Sequence, residues 1–181
     1  MSILFTGRRT ARLTYKNAET VAGKIAGVAL VAGLSAAVIE MLFVLPFRYW
    51  LVGATPAVVF QFIASGALGR RAFQAGMYAV LLGVGVHTLI SLVSAALFAA
   101  AALRWDWLRR HTLLSGSAYG ILAFLVMSFI VLPLSAIGLS LPRSPALFAT
   151  SLCIHMFAFG VPIAVVCAKL IDRSDLGASR S

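Results

Sequence analysis

Charged residues are scarce in this sequence. Asp, Glu, Lys and Arg make up 11% of the 181 residues, whereas a soluble domain carries about 25%. The sequence has no Gly-x-Ser-x-Gly, no phosphate-binding loop, no His-Glu-x-x-His and no paired carboxylates. It therefore lacks the signatures of the common hydrolases, nucleotide-binding enzymes and zinc proteases, and little in it favours an enzyme.

Cysteine is also rare, which excludes several kinds of site. Cys153 and Cys167 lie in one apolar stretch, about 21 Å apart if that stretch is a helix, so they are too distant for a disulfide bond. There is no Cys-x-x-Cys pair to support an iron–sulfur cluster or a zinc-thiolate site. We interpret both cysteines as small packing residues.

Long apolar stretches dominate the rest of the chain. Hydrophobic residues make up 61% of the sequence, and its mean hydropathy is +1.00. About 20 apolar residues in a helix cross a bilayer, and Pro46 and Pro133 are expected to end the first and third helices. The sequence therefore predicts an all-α polytopic membrane protein with one membrane domain, 25–171, and four transmembrane helices at 25–45, 75–103, 113–132 and 146–168.

A shorter apolar segment follows the first predicted span. Thr55 and Pro56 favour a helix start, and the helix predicted at 56–68 is too short to cross the membrane. We expect it to lie in the interface or to enter the bilayer and return. The role of the whole connection, 47–74, is open at this point.

The distribution of Lys and Arg predicts an orientation. One side of the predicted spans, which includes the basic segment 1–24 and the tail 172–181, carries eleven of these residues: Arg8, Arg9, Arg12, Lys16, Lys24, Arg104, Arg109, Arg110, Lys169, Arg173 and Arg180. The other side carries Arg48, Arg70, Arg71 and Arg143. The positive-inside rule then places both termini in the cytoplasm. We attribute the excess positive charge to contact with anionic lipid rather than nucleic acid.

Three ionisable residues interrupt three of the apolar stretches: Glu40, His87 and His155. At helical spacing each shares a face with small residues or serines, which favours a position inside the bundle. All three lie at a similar predicted depth, where an ionised side chain costs about 2.5 kcal/mol or more. The sequence thus predicts one buried polar cluster, with five possible supporting residues: Ser91, Ser94, Tyr119, Ser128 and Ser151.

Several roles are open for this cluster. It suits a structural polar clasp between helices, or a path for protons or cations. His87 and His155 are also spaced to ligate a haem b iron from two sides, with Gly83, Gly85 and Gly160 providing room. A zinc site made of Glu40, His87 and His155 is a further alternative.

Two functional hypotheses follow. The first is a small membrane protein that handles protons or a small solute. The second is a non-transporting accessory or scaffold subunit, in a homo-oligomer or a larger membrane complex, with close-packing stripes at Gly116 and at Gly23 to Gly27 exposed for helix contacts.

Residues spread along the chain also suggest a family. Glu40 ahead of Pro46, Gly85-Val86-His87, Leu132-Pro133-Leu134, a Leu141-Pro142 loop and His155 occur in this order. In this the chain resembles the YagU-like family of uncharacterised bacterial inner-membrane proteins, over roughly residues 25–170. The resemblance implies a small polytopic protein of the bacterial inner membrane with no agreed activity. The segment 47–68 departs from it by being more apolar.

Overall fold

A computed structural model describes residues 3–138 and 144–178, and it describes side chains for 21–138 and 144–173. The described residues are helical almost throughout and contain no strand. Four helices are long and apolar enough to cross a membrane: Val21–Val52, Gly76–Arg104, Thr112–Leu134 and Pro145–Arg173, which we call spans 1 to 4. The predicted all-α fold with four such helices is therefore confirmed. Arg143, Arg180 and the Leu141-Pro142 loop lie outside the described residues.

Span 1 belongs to a single helix, Ile3–Val52, which passes through Pro46. The prediction that Pro46 ends this helix is wrong. A proline removes one backbone hydrogen bond, but the N–H groups after it still reach carbonyls four residues back, and an apolar environment offers them no water as a substitute. The helix ends instead at Val52, and Gly53 follows it with a φ of +66°, which suits glycine, and an N–H that donates to the Tyr49 carbonyl at 2.9 Å.

The short helix after span 1 begins and ends at the predicted residues, Pro56–Leu68. The Thr55 hydroxyl caps it by accepting from the Val58 N–H at 3.4 Å. The helix packs against span 2 so closely that a Cβ on Gly83 would collide with the Phe60 carbonyl. A 3-10 segment, Gly69–Gln74, then leads into span 2. The short helix is thus part of the bundle.

Spans 2 and 3 are joined by one helical turn, Asp106–Arg110. Arg109 pairs with Asp106 in the same turn, and its Nη1 donates to Asp172 Oδ1 at 3.0 Å. This second bond ties the connection to the end of span 4. The start of span 3 is held as well, because the Ser115 hydroxyl donates to the Leu108 carbonyl at 2.8 Å.

Two wide helical turns occur directly before prolines. The π-helical segments Met127–Val131 and His155–Gly160 end two residues before Pro133 and Pro162. A proline ring normally collides with the carbonyl four residues back, and a wider turn moves that carbonyl away. Span 3 therefore continues past Pro133 to Leu134, two residues further than predicted, and the prediction that Pro133 ends it is wrong. His155 opens the π-helical segment of span 4.

Small residues set the distances between the spans. Gly33 lies against the Leu92 backbone, so spans 1 and 2 approach closely. Gly116 and Gly120 of span 3 lie against the backbone of span 4, and Gly160 faces both of them. Cys167 is buried in the core between these helices, as its interpretation as a packing residue requires, whereas Cys153 is exposed. Large apolar side chains cover the outer surface.

Candidate functional site

Glu40, His87 and His155 meet inside the bundle, as predicted. The Glu40 carboxylate lies between the two imidazoles, with Oε1 3.4 Å from His155 Nε2 and Oε2 3.9 Å from His87 Nε2. Glu40 is 5% exposed, and the two rings are largely buried. Three separate spans each contribute one ionisable side chain to this cluster, which we call the Glu–His–His cluster.

The cluster lies at one level of the bundle. Each of its residues is about 5 Å from the midpoint of its own span, and all three are displaced toward the end where spans 2 and 4 begin. In a bilayer this level is within the hydrocarbon layer, where an unpartnered charge costs several kcal/mol. Mutual contact is the way in which these three side chains reduce that cost.

The hydrogen bonding of His155 fixes which of its nitrogens faces the carboxylate. Nδ1 lies 2.9 Å from the Ser151 carbonyl, which can only accept, so Nδ1 carries a proton and donates. Nε2 therefore faces Glu40 Oε1, at 3.4 Å. If neither atom held a proton, two lone pairs would oppose each other in an apolar interior. One proton between Glu40 and His155, held by either group, removes this repulsion.

His87 is oriented differently. Its Nε2 lies 3.2 Å from the Ala37 carbonyl in span 1, so this nitrogen also carries a proton, and its N–H donates a hydrogen bond to that carbonyl. The same N–H lies 3.9 Å from Glu40 Oε2, too far for a hydrogen bond but close enough to stabilise negative charge on that oxygen. His87 thus acts on Glu40 mainly through its dipole, whereas His155 faces Glu40 directly.

Aromatic rings enclose the His155 side of the cluster. The Phe124 ring meets the His155 ring edge to face, with centroids 5.3 Å apart, and the Phe159 centroid lies 6.2 Å away. Gly120, one turn before Phe124, lies against the His155 backbone. Phe124 was not among the predicted site residues, although it shares a helix face with Gly116 and Gly120 and could have been found from that spacing.

The predicted supporting residues have different positions. Ser151 supports His155, but through its backbone carbonyl rather than its hydroxyl. Ser91 donates to the His87 carbonyl at 2.9 Å within span 2. Tyr119 donates to the Ser94 carbonyl at 2.7 Å and so joins spans 3 and 2 away from the cluster. Ser128 is buried in span 3, and among the described side chains no hydrogen bond joins it to the cluster.

The geometry gives no support to the two cofactor alternatives. Within 21–138 and 144–173, no three His, Cys, Asp or Glu side chains are arranged to hold a metal ion, and His87 Nε2 is occupied by its bond to Ala37. A haem between the two rings would have to displace the Glu40 carboxylate. Two of the three glycines expected to make room for it, Gly83 and Gly160, are instead filled by helix packing.

The chain was compared with protein-family models, curated proteins and solved structures, and none of the three comparisons gave a match. The resemblance to the YagU-like family therefore stays a prediction. What is established of this chain is a bundle of helices, four of them long and apolar enough to cross a membrane, around a buried Glu–His–His cluster.

Proposed function

We propose that this chain is an integral membrane protein that binds and releases a proton at Glu40 and His155 as part of proton or small-solute transport. The observation that carries the proposal is the 3.4 Å approach of His155 Nε2 to Glu40 Oε1, with Nδ1 already bonded to Ser151. This arrangement provides a place for one proton between a carboxylate and an imidazole, which are the usual proton carriers in membrane transporters.

His87 has a separate role in the proposal. When the shared proton resides on His155, Glu40 is negative, and the His87 N–H then stabilises Oε2 from 3.9 Å. When the proton leaves, His155 loses its positive charge, and the His87 N–H still faces the Glu40 carboxylate. Glu40 is therefore the group that stays in contact with both rings through the cycle, and its carboxylate is the one that we expect to be indispensable.

The orientation in the membrane is part of the same proposal. The bond between Arg109 and Asp172 holds the connection at Asp106–Arg110 beside the end of span 4. The N-terminal end of span 1 lies at the same end of the bundle, because Ile25 packs in one core cluster with Leu108 and Ile171. We infer that this basic end faces the cytoplasm of a bacterial cell, because Lys and Arg are concentrated there.

Proton flux into vesicles tests the function. The purified protein is reconstituted into liposomes that contain a pH-sensitive dye, and a pH step is applied outside. We expect protein-dependent acidification that Glu40→Gln abolishes while the variant stays monodisperse and helical. Glu19→Gln is the matched control, because Glu19 is the other glutamate of the chain and precedes span 1. Equal flux in the two variants would contradict the proposal.

One observation favours the scaffold hypothesis as a second candidate. Gly23 and Gly27 have open space beside them, and a shallow apolar groove lined by Ala26, Ala29 and Leu92 continues from that face. The other predicted stripe cannot contact a partner helix, because span 4 already packs against Gly116. A scaffold would lose a partner helix on Gly27→Leu and would keep it on Glu40→Gln, which size-exclusion chromatography with light scattering can separate.

A further inference from the structure

A groove of about 500 Å³ opens on the bundle surface where span 3 begins. Its polar part comes from Arg110, His111 and Thr112, and its apolar part from Leu113, Leu114 and Phe157. The volume is within the range of small-molecule sites, about 300–1,000 Å³. This groove is separate from the Glu–His–His cluster, which lies deeper in the bundle.

The polar end of the groove lies at the level expected for lipid headgroups. Trp105 and Trp107 are 65% and 51% exposed in the connection just before it, and exposed tryptophans mark the membrane–water interface. Trp107 also stacks on His111, with centroids 5.0 Å apart, and the His111 Nδ1 lies 3.2 Å from the Trp107 carbonyl. His111, which lines the groove, is thus held in place by the interfacial Trp107.

The apolar part lies further along the outer surface of the bundle, away from the interfacial end. Leu113 and Leu114 are 64% and 60% exposed at the start of span 3, and Phe157 of span 4 faces the same groove. Ser117, which also lines it, is about 8 Å further along span 3 than Thr112. The groove therefore runs from a basic, interfacial end to an apolar floor along the bundle.

The charge at the polar end is positive and available. Arg109 is engaged with Asp106 and Asp172, whereas no salt bridge involves Arg110 among the side chains that the structure describes. A guanidinium at headgroup level attracts anionic lipids, and each such charge contributes about a fivefold preference. The hydroxyl of Thr112, beside Arg110, can donate to a phosphate oxygen.

We propose that this groove binds one anionic phospholipid, with its phosphate against Arg110 and Thr112 and one acyl chain over Leu113, Leu114 and Phe157. A polar headgroup joined to an apolar chain matches both parts of the groove at once. A soluble anion would satisfy only the Arg110 end, and an uncharged lipid only the apolar floor.

Quenching of tryptophan fluorescence by brominated lipid tests this assignment. The variant Trp50→Phe removes the tryptophan near the C-terminal end of span 1, which lies away from the groove. Trp105 and Trp107, beside the groove, remain. It is reconstituted into phosphatidylcholine vesicles with phosphatidylglycerol as the minor lipid, and either lipid in turn carries bromine on its acyl chains. We expect brominated phosphatidylglycerol to occupy the site about five times more often than its mole fraction.

Matched variants separate the groove from the surface around it. In the Trp50→Phe background, Arg110→Gln should remove the preference, and Arg104→Gln, an exposed arginine outside the groove, should leave most of it. Phe157→Ala should weaken quenching by both lipids, whereas Phe129→Ala, an exposed phenylalanine elsewhere, should not.

Three results would overturn the assignment. Equal losses in Arg110→Gln and Arg104→Gln would show a diffuse surface attraction. Removal of the preference by inorganic phosphate at constant ionic strength would show a site for a free anion. Quenching by brominated phosphatidylglycerol in proportion to its mole fraction in the Trp50→Phe protein would show that no anionic lipid is selected. Circular dichroism of each variant confirms that its helices are intact before quenching is compared.

Discussion

Two groups of three ionisable side chains join separate parts of this chain in very different surroundings. Glu40, His87 and His155 meet in the interior, where the Glu40 side chain is 6% exposed. Asp106, Arg109 and Asp172 meet at one end of the bundle, where the two aspartates are 61% and 58% exposed. Water and salt screen the second group, so each of its ion pairs contributes little. The buried group has no such screening.

The same kinds of side chain therefore have different consequences. At the end of the bundle, losing one partner leaves a charge that water can solvate. In the interior, losing one partner leaves a polar group that nothing solvates, at a cost of about 1–3 kcal/mol. The Glu–His–His cluster is thus the place where a change of protonation is coupled to the packing of three spans, which is the property that the proposed function needs.

The largest expected effect comes from removing the close approach that places His155. Gly120→Leu puts a side chain into the His155 carbonyl and the Met156 backbone, and it should destabilise the fold by about 3 kcal/mol or more. Thermal unfolding in detergent measures this loss. Gly85→Leu is the control, because Gly85 has open space beside it. Similar losses in both variants would mean that span 3 does not support His155 as described.

A double-mutant cycle compares the two groups directly. We expect Glu40→Gln and His155→Gln to be coupled by about 1–2 kcal/mol, because each side chain is the direct partner of the other in an apolar interior. The parallel cycle with Arg109→Gln and Asp172→Asn should give about 0.5 kcal/mol. Chemical denaturation of the single and double variants gives both values. Equal coupling in the two cycles would remove the distinction.

The smallest effect is expected at the exposed end. Asp172→Asn should change the free energy of unfolding by less than about 1 kcal/mol, and that difference should shrink as salt is added. The change in the free energy of unfolding caused by Glu40→Gln should depend much less on salt, because the buried surroundings of Glu40 exclude ions. Unfolding of the two variants at low and high salt makes the comparison. A salt-independent effect of Asp172→Asn would indicate a contact other than its ion pair with Arg109.

The length of the apolar stretches was enough to predict four spans, and helical periodicity was enough to predict the meeting of Glu40, His87 and His155. Each of these residues shares a face with small or polar residues, and apolar length sets the depth. The backbone carbonyls that accept hydrogen bonds from the two histidines could not be predicted in this way. The donation from His87 to the Ala37 carbonyl and from His155 to the Ser151 carbonyl depends on ring rotamers and on helix distances, and residue spacing does not determine these.

The prolines were the other source of error. Their missing N–H suggested that helices end at Pro46 and Pro133. Pro46 instead lies inside a continuous helix, and π-helical turns accommodate Pro133 and Pro162 within spans 3 and 4. Whether a proline ends a helix depends on the carbonyl four residues back and on the neighbours that hold it. Span 1 ends at Val52, directly before Gly53, whose positive φ is the conformation in which a glycine commonly follows a helix.

The proton between Glu40 and His155 is the central claim, and infrared difference spectroscopy tests it most directly. The chain has two glutamates, so a carboxyl-¹³C-glutamate label in Glu19→Gln reports on Glu40 alone. We predict that the pH at which the labelled carboxyl band changes moves by about one unit or more when His155→Gln is added, since one unit corresponds to about 1.4 kcal/mol of interaction. An unchanged titration would contradict the shared proton.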